Sequence, residues 1–144
     1  MTTTNKAPWH LWVIGLAALL FNAGGAFHYV MTKTRNADFI EQMPAGAIEY
    51  YEGFPIWMDM AWAIAIWFAV AGALLLLVRK AWAAPVFLIA FLAYLVSSFY
   101  TFALGAPPAE MMTTNNMLFS VGIGLQLLLL TLYSRAMAAR GVLK

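Results

Sequence analysis

The chain has 144 residues, of which 64% are hydrophobic and 10% charged, and its formal net charge is +2. Soluble domains carry about 25% charged residues, so a soluble globular protein is excluded, and so small a net charge gives no reason to expect a nucleic-acid partner. The absence of cysteine excludes disulfides, thiolate nucleophiles and thiolate metal sites.

Asn5 is placed to cap a helix whose first turn carries Pro8, where a missing N–H costs nothing. Trp9 and Trp12 mark a membrane interface. About 20 residues at 1.5 Å each cross roughly 30 Å of hydrocarbon, and the stretch 8–31 holds no charged residue, its only titratable bases being His10 and His28, so it is the first span. The rival reading is a secretory signal, with Lys6, an apolar core and small residues from Ala23 to Ala26 as its cleavage site; a retained span is the reading kept. Its outer end, Phe21 to Arg35, turns from apolar to polar through Asn22, Gly24, Gly25 and His28.

Thr32 to Gly53 is the longest polar segment and holds Asp38, Glu41, Glu49 and Glu52. Asn36 caps a short helix that carries Phe39, Ile40 and Met43 on one side and stops before Pro44, and a second turn brings Ile48 and Tyr51 onto one face. Such pieces lie in the headgroup plane with their carboxylates wet, as a cap over the bundle. Further spans follow at 55–78, 82–104 and 116–134, the last capped by Asn115 or Asn116 and ending in a basic tail, Arg135, Arg140 and Lys144. The short connection between the second and third spans makes them antiparallel neighbours. The expected fold is an all-α membrane protein, a four-transmembrane-helix antiparallel bundle forming a single domain over 1–144, with an amphipathic external loop between the first two spans.

With four spans the two ends share a side. That side carries Lys6, Arg79, Lys80, Arg135, Arg140 and Lys144 and no acid, whereas Lys33, Arg35 and all six acids fall on the other, with Asp59 at its margin. The positive-inside rule puts both termini in the cytoplasm and the acidic cap outside.

Polar groups inside the spans gather in the outer half. Asn22 is about eight residues from the outer end of its helix, roughly 12 Å deep; Gln126, Ser97 and Ser98 fall in the same layer, and His28, Asp59, Tyr100, Thr101 and Ser120 lie above it. Three-four spacing groups Gly15, Ala18, Asn22, Gly25 and Tyr29, then Ala90, Tyr94, Ser97 and Thr101, then Asn115, Phe119, Gly122, Gln126 and Leu129, as bundle-facing seams. Gly15, Gly25, Ala65, Ala69, Gly72 and Gly122 allow close helix approach. Two readings stand open: interhelical glue worth about 1 kcal/mol per polar group, or a pocket built from Asn22, His28, Tyr29, Asp59, Tyr94, Ser97, Thr101 and Gln126.

Asp59 is the only carboxylate inside a span, and His28 is its nearest candidate partner in depth; against a function, Asp59 is also one turn from the helix start, where the dipole and interfacial water suit a carboxylate. No metal or other cofactor is expected, because His10 and His28 are 18 residues apart, roughly 27 Å along one helix, and one histidine with Asp59 is too few ligands for zinc. Catalysis would need a nucleophile, a base and an orienting group. Ser97, His28 and Asp59 are the nominal set, but membrane-helix hydroxyls usually bond their own backbone, and no catalytic residue is assigned.

Asn22, the Gly24-Gly25 pair, Tyr29-Val-Met-Thr-Lys-Thr-Arg-Asn36, Tyr50-Tyr51-Glu-Gly-Phe-Pro55, Trp57 and the Arg140-Gly-Val-Leu tail resemble a group of small uncharacterised four-span bacterial inner-membrane proteins, sometimes labelled sugar-transporter-like. The resemblance implies the fold and an inner-membrane location, and no reaction; where that family's pattern carries an acid, this chain has His28. The leading functional reading is an interaction or accessory membrane protein, working within the bilayer in a homo-oligomer or larger membrane complex. The alternative is small-solute transport or binding as a homo-oligomer, on the expectation that four helices enclose little volume, and a membrane enzyme is the weakest reading.

Overall fold

The computed structural model describes residues 5–144. Within them 78% of residues are helical and none lie in a strand. In chain order the helices are α1 (Trp9–Lys33), α2 (Ala37–Glu41), α3 (Ala47–Glu52), α4 (Ile56–Leu77), α5 (Ala83–Phe99) and α6 (Thr114–Ala139). Of these, α1, α4, α5 with its extension to Leu104, and α6 are long and apolar enough to cross a membrane. The extension, Tyr100–Leu104, is a widened turn closed by Gly105 N–H to the Tyr100 carbonyl at 2.6 Å. Such π-type turns gather at functional sites.

The helix ends follow local chemistry with two departures from expectation. Asn36 caps α2 by accepting from the Phe39 amide at 3.0 Å. Asn5, however, does not cap α1; Pro8 takes the cap position and the Asn5 side chain donates to the Arg140 carbonyl. For α6 the cap is Thr113, whose hydroxyl accepts from the Asn116 amide at 3.3 Å, leaving Asn116 to donate to the Glu110 and Met111 carbonyls. A hydroxyl one residue before the helix can fold back on the free amides, whereas an asparagine inside its first turn points away from them.

Backbone packing joins α1 to α4, α4 to α5 and α5 to α6. The face of α4 that packs is nearly all small, Ala61, Ala65, Ala69, Gly72 and Ala73, and this lets the fully buried Phe87 ring of α5 press onto the α4 backbone at Gly72. Without a hydrophobic force between helices in lipid, this close approach supplies the cohesion. The α1 seam packs as its spacing predicts, with Gly15, Ala18 and Asn22 buried. On α6 the predicted seam is rotated: Phe119, Gly122 and Leu129 are exposed, and Leu127, Leu130, Thr131, Ser134 and Met137 face the core. Both faces of this helix are apolar, so hydrophobic phase does not tell a packed face from a lipid-facing one.

The end of the bundle that carries the termini is closed. Val142 and Leu143 are buried in the core cluster, and Lys144 exchanges backbone hydrogen bonds with Arg79 and Ala81 at 2.9 and 2.7 Å. Arg79 takes the left-handed conformation, φ 60, at the end of α4. Its side chain donates to the Val142 carbonyl at 3.0 Å and the Asn5 carbonyl at 2.7 Å, tying Asn5 and the C-terminal tail to the α4–α5 connection. The tail read from sequence as a basic appendage is therefore part of the core.

Candidate functional site

At the opposite end, α1, α4, α5 and α6 surround a cavity of about 300 Å³. From Met58 to Ala69 along α4 it reaches about 16 Å into the bundle at 1.5 Å per residue. Tyr50, Tyr51 and Phe54 from the α3 region and Met111 and Met112 before α6 line its upper part; Asn22, Ala69 and Leu127 line its deepest part. No Lys, Arg, Asp, Glu or His side chain lines it. Its size is at the lower end for small-molecule sites, which are mostly apolar with a few placed polar groups. Four helices of one chain thus wall this volume between them.

The upper wall is aromatic because α3 folds back over α4. Tyr51 stacks on Trp62 with ring centroids 5.1 Å apart and planes 15° from parallel, and Phe54 packs edgewise on both. Tyr50 meets Phe54 at 5.1 Å, and Phe54 meets Tyr100 at 5.4 Å. Tyr50 Oη is buried without a protein hydrogen-bond partner among the described residues. It lies against Gly105, where a Cβ would come within 3.0 Å of it, so the widened turn and its glycine make room for this phenol. Burial pushes the Tyr51 phenol up to about 12, with Tyr50 adding to the effect. Burial also raises Tyr50, opposed by the Thr101 hydroxyl and assisted by Tyr100. Both are neutral donors at ordinary pH.

The lower wall is polar and largely self-satisfied. Asn22 and Gln126 bond each other across α1 and α6, and Asn22 also donates to the Ala18 carbonyl at 2.8 Å. Ser97 donates to the Ala93 carbonyl at 3.0 Å, in its own helix. The Tyr94 ring lies against Gly124, and its hydroxyl bonds both the carbonyl and the hydroxyl of Ser120, joining α5 to α6. The glue and pocket readings therefore both hold in part: the bonds are made, and the same residues line a void.

Of the eight residues predicted to form a site, Asn22, Tyr94, Ser97 and Thr101 line the cavity. Gln126 holds Asn22 in place from the rim of a separate groove between α1 and α6. Tyr29 packs on Trp62 and Trp67. His28 is wedged among Phe39, Tyr51 and Trp62. Asp59 forms its ion pair with Lys33, which also sits over the Trp62 ring at 5.5 Å, so the pairing expected for His28 and Asp59 is replaced. Lysine at the end of α1 has a long flexible stem that reaches the carboxylate, whereas the shorter histidine is held by its aromatic neighbours. The cavity also uses Tyr50, Tyr51, Phe54, Trp62, Ser98 and Ser120, of which the run Tyr50 to Phe54 was conspicuous in sequence as an aromatic cluster beside a span. Among the described residues no three His, Asp or Glu side chains come together.

No family model, curated protein or solved structure matches the chain.

Proposed function

We propose that this protein binds a small neutral solute in the outer half of a four-helix membrane bundle, the spans alternating in direction and both termini cytoplasmic. The observation that carries the reading is the cavity: about 300 Å³, enclosed by all four spans, aromatic above, hydroxyl- and amide-bearing below, and lined by no charged side chain. An ionic solute at this depth would lack a counter-charge. The polar groups of the lower wall are bonded within the chain, so neither a partner protein nor a solute is needed to satisfy them, and it is the uncharged void between the spans that favours solute binding over a purely accessory role.

The orientation rests on charge. Lys6, Arg79, Lys80, Arg135, Arg140 and Lys144 share the end closed by the chain's own tail, and all the acids are at the other. A bacterial inner membrane is the location that the sequence resemblance supports. Because Val142 and Leu143 fill the cytoplasmic end, the state described is a binding pocket with one accessible side; transport would require that end to open.

The test is ligand-linked stability in nanodiscs. Neutral aromatic alcohols and phenyl glycosides are expected to raise the unfolding temperature in proportion to ln(1 + [L]/Kd). Ser97→Trp, which projects into the void from a residue bonded only to its own helix, is expected to abolish that response. A parent protein indifferent to every such solute, with a Ser97→Trp variant more stable than the parent, would make the void a packing defect.

A further inference from the structure

We infer that the ligand of this cavity is a neutral single-chain amphiphile, its polar head among the cavity aromatics and its aliphatic tail leaving between α1 and α6. The inference rests on the cavity being a binding site and adds the chemical class of its occupant. Phe21 is a wall of the cavity and also of the separate groove on the outside of the α1–α6 seam, which runs from Gln126 toward the cytoplasmic end. The groove is walled by apolar side chains, chiefly Ile14, Ala17, Leu129 and Leu132, and its polar groups occur only at its two ends. At one end Gln126 is occupied by Asn22, and at the other the Tyr133 hydroxyl bonds His10 Nδ1 at 2.6 Å. From Ile14 to Phe21 the slot runs about 10 Å, against roughly 15 Å for half the hydrocarbon thickness.

The seam itself is suited to a tail. Backbone packing links α1 to α4, α4 to α5 and α5 to α6, whereas α1 and α6 meet chiefly through three side-chain pairs, His10–Tyr133, Asn22–Gln126 and Phe21–Phe119. A chain passing from the cavity to the groove would part the Phe21 and Phe119 rings beside the Asn22–Gln126 pair, moving side chains and not closely packed helix backbones. A water-borne solute has no use for an apolar slot that shares a wall with its pocket, and a charged lipid head would meet no counter-ion in the cavity. A neutral head with an acceptor oxygen matches the Tyr50 hydroxyl, which has the Thr101 hydroxyl near it but makes no well-formed hydrogen bond among the described residues.

Two photoreactive probes in nanodiscs test this: a diazirine-bearing benzyl alcohol, which is a head alone, and a long-chain alcohol with the diazirine at mid-tail. Both are expected to label the parent saturably, the second on Ile14, Leu129 or Leu132. Ala17→Trp fills the groove from an exposed position, and is expected to weaken the long-chain alcohol about tenfold while leaving the benzyl probe unchanged; Leu132→Trp is a second block. Retained binding of the benzyl probe shows that each variant is folded. Unchanged long-chain binding in both variants, or tail labels spread evenly over lipid-facing helix surfaces, overturns the tail assignment and leaves the cavity reading standing. Failure of the benzyl probe to label the parent cavity overturns both. Dissociation of an oligomer by Ala17→Trp, read by native mass spectrometry, assigns the groove to a second copy and also overturns the inference.

Discussion

Asn22 and Gln126 bond each other reciprocally across the α1–α6 seam, Asn22 Nδ2 to Oε1 at 2.9 Å and Gln126 Nε2 to Oδ1 at 3.4 Å. The pair is the floor of the cavity on one side and the rim of the lipid-facing groove on the other. Asn22→Leu is expected to cost about 0.5–2 kcal/mol without preventing membrane insertion. Combined with Gln126→Leu it should give a non-additive double-mutant cycle in reversible unfolding from mixed micelles, because each single change leaves the other amide's oxygen without its donor. Strict additivity would mean that the two amides do not depend on each other.

Two glycines read alike in sequence and differ in space. A Cβ on Gly72 would come within 2.8 Å of the Phe87 ring, which is wholly buried and has nowhere to move, whereas a Cβ on Gly122 would meet nothing within 4 Å. Gly72→Ala is therefore expected to destabilise by about 1–3 kcal/mol. Gly122→Ala should leave stability unchanged or slightly raised, through helix propensity. Equal losses at the two positions in the same unfolding assay would contradict the rotation of α6 described here.

That contrast shows what the sequence made legible. The existence of four long apolar helices, the Asn36 cap and the seam Gly15, Ala18, Asn22 could be read because charge, capping chemistry and polar residues mark them against an apolar background. The packing face of α6 could not, since Phe119 and Leu129 suit lipid as well as Leu127 and Leu130 suit the core. Four of the eight predicted residues, Asn22, Tyr94, Ser97 and Thr101, line the cavity, and they were picked out by the one periodic signal that survives in lipid, a polar group on a helix. The aromatic wall was missed because Tyr50, Tyr51 and Phe54, though clustered in sequence, reach Trp62 only after α3 folds back, a tertiary contact that the cluster alone does not specify. Asp59 found Lys33 because both are at helix ends on the same side, a pairing that depth alone does not separate from His28.

The phenols set an alkaline limit to the cap. Tyr51 titrates near 12 in the folded protein, against about 10 when exposed. Its neutral form is the one favoured by folding, so its contribution is fully present below pH ~10 and is lost as pH rises through about 12. Tyr50 shifts in the same direction. Stability should fall over this window, with tyrosinate absorbance appearing late for these residues. Tyr51→Phe keeps the ring on Trp62 and is expected to flatten the fall, and a profile identical to the parent's would mean that Tyr51 is not the group being held neutral.

Arg79 occupies a position where helices commonly end in glycine, and it does so to hold the two chain ends together. Its backbone is left-handed, φ 60, and the Lys80 N–H bonds the Leu75 carbonyl at 2.8 Å, closing the end of α4. A residue with a Cβ in that conformation costs roughly 1–2 kcal/mol, offset here by donation to the Val142 and Asn5 carbonyls. Arg79→Ala keeps the backbone strain and loses both bonds, while Arg79→Gly loses the bonds and relieves the strain. Both variants are expected to be less stable than the parent, and the alanine variant should be the worse by about 1 kcal/mol. In both, a cysteine introduced at Lys144, the chain having none of its own, should react faster with a maleimide, and only from the cytoplasmic face if the charge-based orientation holds. Reaction from the outer face would reverse the topology, and an unchanged rate in both variants would mean that the tail is held by the burial of Val142 and Leu143 alone.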